Sequence, residues 1–169
     1  TTFWFTIILN KCKPKSLINV DTSIKMDKIL IVEENKTNRD LLGQLLRSWD
    51  IECVLANNEN TAIKILTQAA NHGTIFSSIL IDSKIISHKE NEFSTYFKND
   101  RSLDNVNLIV MAHDNANNVV DSSLHSNIFD TLSKPINQFS FHSTLLNLTK
   151  PNDDNALENY SKIESLVQS

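Results

Sequence analysis

Lys28 to Val32 reads KILIV, an unbroken apolar run of the kind that forms a strand buried on both faces. Asn35 follows as a helix N-cap, and Leu41, Leu42, Leu45, Leu46 and Trp49 recur at helical spacing, which predicts an amphipathic helix over 36–48. The alternation then repeats. Residues 51–55 predict a short strand, and 58–70 a second helix with Ala62, Ile63, Ile65, Leu66 and Ala69 on its inner side. SILI at 78–81 predicts a strand ended by Asp82, 90–99 a weaker helix around Phe93 and Phe97, and VNLIVMA at 106–112 a fourth strand. An Asn-rich stretch at 115–124 is a poor helix, and 128–132 a weak fifth strand. A last helix over 137–148 carries Phe139, Phe141, Leu145, Leu146 and Leu148 as packing residues.

Five strands alternating with five helices predict an α/β fold. Its form is a doubly wound five-stranded parallel sheet with helices on both faces. Right-handed crossovers leave few windings, of which the flavodoxin-like strand order 2-1-3-4-5 is the one expected here. The flanks differ in character. Thr1–Leu9, TTFWFTIIL, is apolar and aromatic but lacks the basic leader and cleavage site of a signal peptide, so it reads as a strand. Residues 10–26 mix Lys, Ser, Pro and Asp without a period and read as a linker. From 150 to 169 the chain is a polar tail in which 157–167 can form an extra helix.

Composition narrows the function. The 169 residues suit one domain with tails, and 40% hydrophobic with 21% charged residues is ordinary for a soluble globular protein. The net charge of −4 comes with no strongly basic patch, so nucleic acid is not expected as a direct partner. Cys12 and Cys53 are far apart in sequence, which argues against a disulfide framework or a zinc knuckle and fits a reducing, cytoplasmic setting. No apolar run approaches the roughly 20 residues that span a bilayer, so no direct membrane contact is expected of this stretch. Gly43 and Gly73 are the only glycines, so neither G-x-G-x-x-G nor G-x-x-x-x-G-K-[ST] can be written. The five histidines (72, 88, 113, 125 and 142) show no metal-ligand spacing.

In a doubly wound sheet, ligands bind beyond the carboxyl ends of the strands. The first strand ends in Glu33-Glu34, the third in Asp82 and the fourth in Ala112-His113, while the fifth leads into Lys134-Pro135. With the first and third strands adjacent, three carboxylates meet at one sheet edge and a lysine reaches in from the far side. Crowded carboxylates repel one another unless a cation intervenes. Magnesium, a hard ion with oxygen ligands, is the expected cofactor. Such an ion and Lys134 can both neutralise a transferring phosphoryl group, and Asp82 can act as the nucleophile. An isolated Asp or Lys-Pro carries no such reading, since a strand end often caps a turn; only the joint placement does.

KILIVEENKTNR, SILIDS, LIVMAHD and TLSKPI, in this order, resemble the receiver domain of response regulators and hybrid histidine kinases over about residues 27–149. The resemblance implies that Asp82 is the phosphorylated residue and that Lys134 contacts the phosphoryl group. It implies that Glu33 and Glu34 match the acidic pair that holds magnesium with Asp82, the backbone carbonyl of Lys84 being a further ligand. It also implies a cis Lys134–Pro135 peptide and, as partner, a histidine kinase or histidine phosphotransfer domain. TTFWFTIIL is similar to the closing strand of the ATP-binding domain of histidine kinases. Its place ahead of a receiver implies a hybrid kinase, whose parent chain can be membrane-anchored. Without its parent sheet that strand is expected to be disordered or to pair with a neighbouring molecule.

Three positions and one loop depart from the family pattern. Glu34 stands where Asp ligates the metal; its extra methylene either crowds the ion or lets the carboxylate reach Lys134. Ala112 replaces the Ser or Thr whose hydroxyl bonds a phosphoryl oxygen, a loss worth roughly 1.5–3 kcal/mol. Thr131 replaces the switching Tyr or Phe, and the loop SKIISHKENEF lacks Met-Pro and Gly. These changes keep two alternatives open. One is a pseudo-receiver that binds proteins or forms a homodimer through its last helices. The other is an aspartate-nucleophile phosphatase of the haloacid dehalogenase type, which normally has a second Asp where Lys84 stands.

Overall fold

The computed structural model describes residues 2–7, 26–87, 91–113 and 122–149. Its elements are β1 (Lys28–Val32), α1 (Lys36–Ser48), β2 (Cys53–Ala56), α2 (Glu59–Asn71), β3 (Phe76–Asp82), α3 (Glu92–Asn99), β4 (Asn107–Ala112), β5 (Ile128–Ser133) and α4 (Gln138–Thr149). Two 3₁₀ turns, Arg101–Leu103 and Ser122–Asn127, lie between them. The strands form one parallel sheet in the order β2-β1-β3-β4-β5, as expected.

The apolar runs are continuous because the central strands feed two cores, one on each face. Leu30, Val32, Ile79, Ile81, Leu108 and Val110 pack with Ala62 and Leu66 of α2 and with Phe93 and Phe97 of α3. Ile29, Ile31, Leu80, Ile109 and Met111 point the other way, onto Leu42 and Leu46 of α1 and Phe141, Leu145 and Leu146 of α4. The change of partner at every residue is the period of a pleated strand. Asparagine side chains cap three helices: Asn35 accepts from the Asn38 N–H (3.1 Å), Asn58 from Thr61 (2.8 Å) and Asn91 from Ser94 (2.6 Å).

Several boundaries and faces differ from the sequence reading. β2 starts two residues late because Asp50 takes a left-handed conformation (φ 59°) and turns the chain, leaving Ile51 buried ahead of the strand. β3 begins early, since Phe76 pairs with Lys28. Leu41 and Phe139 are exposed rather than packed, because each lies just off the stripe its helix turns to the sheet. Residues 2–7 form no strand, and Phe3 and Trp4 are 92% and 84% exposed. A strand exists only through pairing with a neighbour, and none of the five strands takes this segment. Of the weak helix expected over 115–124, residues 122–124 belong to a 3₁₀ turn and the rest lies outside the described residues. The linker over 10–25 and the tail from 150 also lie outside them.

Phe141 is fully buried and its ring sits 5.6 Å from that of Trp49, tying α4 to the end of α1. Phe141→Ala is expected to cost about 3–5 kcal/mol in urea denaturation followed by tryptophan fluorescence, whereas Leu41→Ala changes stability by no more than about 0.5 kcal/mol. Equal effects of the two variants would contradict this assignment of the core.

Candidate functional site

The site lies where β1, β3, β4 and β5 end. Register sets its parts side by side: Val32 pairs with Ile81, Asp82 with Met111, and Ala112 with Ser133. The ladder continues past the strand ends, the Ser83 N–H donating to Met111 O (2.9 Å) and the Lys134 N–H to Ala112 O (2.7 Å). Lys134 is thereby held above the end of β4, and the Lys134–Pro135 peptide is cis.

From that position the Lys134 ammonium donates to Asp82 Oδ2 (2.7 Å) and to Glu33 Oε2 (2.9 Å). The contacts join residues 52 and 101 positions apart in sequence. All three groups are withdrawn from water: Glu33 is 2% exposed, Asp82 5%, and the Lys134 side chain 12%. The second oxygen of each carboxylate is also engaged. Glu33 Oε1 accepts from the Asn35 N–H (2.9 Å) and Asp82 Oδ1 from the Lys84 N–H (3.1 Å). Burial works against the Lys134 ammonium, but the bonds to Asp82 and Glu33 outweigh it and hold its pKa above the ordinary lysine value.

Glu33, Asp82 and Lys134 are therefore brought together as expected. Glu34 is not: its side chain is exposed, and among the described residues no group of three or more His, Cys, Asp or Glu side chains is gathered for a metal. The lysine's partner at the end of β1 is Glu33, not Glu34, because the side chain of residue 33 turns inward while residue 34 faces solvent. The Lys84 carbonyl accepts from Ser87 Oγ (2.9 Å). The donor set still suits magnesium in its chemistry. Glu33, Asp82 and the Lys84 carbonyl offer hard oxygens, and two buried carboxylates against one ammonium leave one negative charge uncompensated.

Ala112, whose carbonyl accepts the Lys134 N–H, is buried with its methyl packed in the core on the α2–α3 face, while His113 and Thr131 are exposed. Arg39 went unnoticed in the sequence. Its Nη1 donates to the carbonyls of Glu33 (2.6 Å) and Glu34 (3.0 Å). The readable signal was an arginine within the first turns of a helix that follows an acidic pair.

Comparison with known proteins agrees with this geometry. The family model for the response regulator receiver domain matches residues 29–146. No curated protein matches the chain. Among solved structures, the chain is similar to one in the co-crystal structure of the Saccharomyces cerevisiae histidine phosphotransfer signaling protein Ypd1 with the receiver domain of its downstream response regulator Ssk1. That match has 23% identity and a TM-score of 0.57, covering 73% of this chain and 89% of that one. A receiver domain protein from Clostridium thermocellum matches with 16% identity and a TM-score of 0.60, over 73% of this chain and 94% of the other. A receiver-modulated diguanylate cyclase from Pelobacter carbinolicus matches with 24% identity and a TM-score of 0.54, over 81% of this chain and 98% of the other. At such identities these structures speak for the fold. The family match and the strand-end cluster together show that this chain belongs to the response regulator receiver domains of two-component signalling.

Proposed function

We propose that this receiver accepts a phosphoryl group from a phosphohistidine onto Asp82. The observation that carries the reading is the Lys134 bridge between Asp82 and Glu33 at the end of the central strand. In the transfer an Asp82 carboxylate oxygen forms the new O–P bond as the P–N bond of the donor breaks, and the departing imidazole takes up a proton. The Lys84 N–H and the Lys134 ammonium hold that carboxylate in one orientation, so little reorganisation is needed at the moment of attack. Lys134 then follows the charge onto the phosphoryl oxygens. Glu33, Asp82 and the Lys84 carbonyl would hold magnesium, with Glu34 as an outer acid. Bound there, the ion supplies neutralisation of the phosphoryl oxygens.

The donor in this reading is a histidine kinase or a histidine phosphotransfer protein, a class to which Ypd1 in the similar co-crystal belongs. The run TTFWFTIIL, with Phe3, Trp4 and Phe5 exposed over residues 2–7, supports a parent hybrid histidine kinase in which it closes the preceding ATP-binding domain. Among the described residues no helix is long and apolar enough to cross a membrane. A cytoplasmic module fits this picture.

The second reading is a pseudo-receiver that only binds proteins. Ala112 favours it, since no hydroxyl reaches the cluster from β4, and exposed Thr131 offers no aromatic ring to switch. Intact-mass spectrometry after incubation with magnesium and acetyl phosphate separates the two. The native chain is expected to carry one phosphoryl adduct that Asp82→Asn lacks; an unmodified native chain would favour the pseudo-receiver. Ala112→Thr is expected to speed adduct formation about tenfold or more, the worth of a hydrogen bond to a charged oxygen. An unchanged rate would sink that account of Ala112.

Lys134 also makes a stability prediction. Leaving two buried carboxylates without their cation, Lys134→Met is expected to cost about 3–5 kcal/mol at neutral pH. The folded-state pKa of Lys134 lies above 10.5, so its stabilisation is complete below that pH and is lost as pH rises through the folded value. The gap between the urea midpoints of native and Lys134→Met chains should stay flat from about pH 7 to about pH 10 and narrow above that range. A gap that persists undiminished into stronger alkali would contradict the bridge.

A further inference from the structure

The loop from β1 to α1 carries Glu33, and something must fix that loop for Glu33 to meet Lys134. One side is held by the sheet, where the Glu33 N–H donates to Ala56 O of β2 (3.1 Å). The other side has two carbonyls, those of Glu33 and Glu34, that precede the helix and receive no bond from its ladder. Both are taken by a single atom. The Arg39 side chain runs back toward the start of α1, as helical side chains do, and its Nη1 donates to both oxygens at 2.6 and 3.0 Å. Among the described residues the guanidinium forms no salt bridge, although its charge also helps to hold down the pKa of the neighbouring Asp40. The loop is short and its members are coupled: the Glu33 carboxylate in turn accepts from the Asn35 N–H and from Lys134.

We propose that Arg39 is a positioning residue of the acceptor site, holding the Glu33 and Glu34 carbonyls so that the Glu33 carboxylate stays against Lys134 beside Asp82. The proposal rests on the phosphoryl-acceptor reading of that site, and it has a readout independent of phosphoryl transfer. The Asn35 amide reports where the Glu33 carboxylate sits, because it donates to Glu33 Oε1.

The experiment compares amide hydrogen exchange by NMR and phosphoryl uptake from acetyl phosphate in native, Arg39→Met and Arg39→Lys chains. In Arg39→Met, exchange at Asn35 is expected to rise, and phosphoryl uptake to fall, each about tenfold or more. Exchange at Leu30, Ile81 and Leu108 in the central strands should stay unchanged. Arg39→Lys should restore much of both, because one ammonium nitrogen can donate to two carbonyls as Nη1 does. Unchanged exchange at Asn35 would overturn the proposal. So would faster exchange everywhere, which would make Arg39 a general stabiliser. A native chain that takes up no phosphoryl group refutes the acceptor reading itself. With Asn35 still responding to Arg39→Met, that outcome would reduce Arg39 to a loop anchor and overturn its assigned role.

Discussion

One ammonium shared by two buried carboxylates is the constraint on which the rest of this structure depends. Glu33 and Asp82 stand at the ends of adjacent parallel strands, and neither can keep its charge there cheaply without a cation. Lys134 comes from the far side of β4 and reaches both. For that to happen β1, β3 and β5 must end level with one another, and the chain after β5 must turn at once. The bond from the Lys134 N–H to Ala112 O and the cis Lys134–Pro135 peptide are the local means. In the proposed acceptor reading, the group that bonds Asp82 at rest is also the one that can follow the charge of an incoming phosphoryl group.

The two cores make this arrangement stiff. β3, the middle strand, is buried along nearly its whole length and ends in Asp82 itself, so the Asp82 carboxylate is carried by the centre of the sheet. α1 and α4 close one face and α2 and α3 the other, and neither core needs the polar cluster for its packing. Tolerance of Ala112 and Thr131 follows from that separation. Neither side chain takes part in the Lys134 bridge, so positions 112 and 131 can change the chemistry at the strand ends without removing that constraint.

Much of this was legible beforehand, for identifiable reasons. KILIV, SILI and LIVMA announce doubly buried strands, and strand order alone brings Asp82 beside the end of β1 and Lys134 within reach. The helix starts at Asn35 and Asn58 could be read because asparagine there has a defined capping role. What escaped depends on side-chain direction or on partners absent from the pattern. Which of Glu33 and Glu34 turns inward is decided by one step of backbone, and either assignment satisfies the same acidic pair. Arg39 acts through main-chain carbonyls, so its only sequence signal is its place in the first turns of a helix after an acidic pair. The aromatic run over residues 2–7 has strand composition but no neighbour, and composition says nothing about neighbours.

The measurement that tests the central claim most directly is a fluoroberyllate titration in magnesium, followed by ¹⁹F NMR, on the native chain, Asp82→Asn and Lys134→Met. If Asp82 and Lys134 form a phosphoryl-accepting pair, the native chain shows one bound fluoroberyllate species. Asp82→Asn then shows none, and Lys134→Met binds more weakly with shifted fluorine resonances. A native chain that binds no fluoroberyllate, or binding that survives loss of the Asp82 carboxylate, would contradict the account.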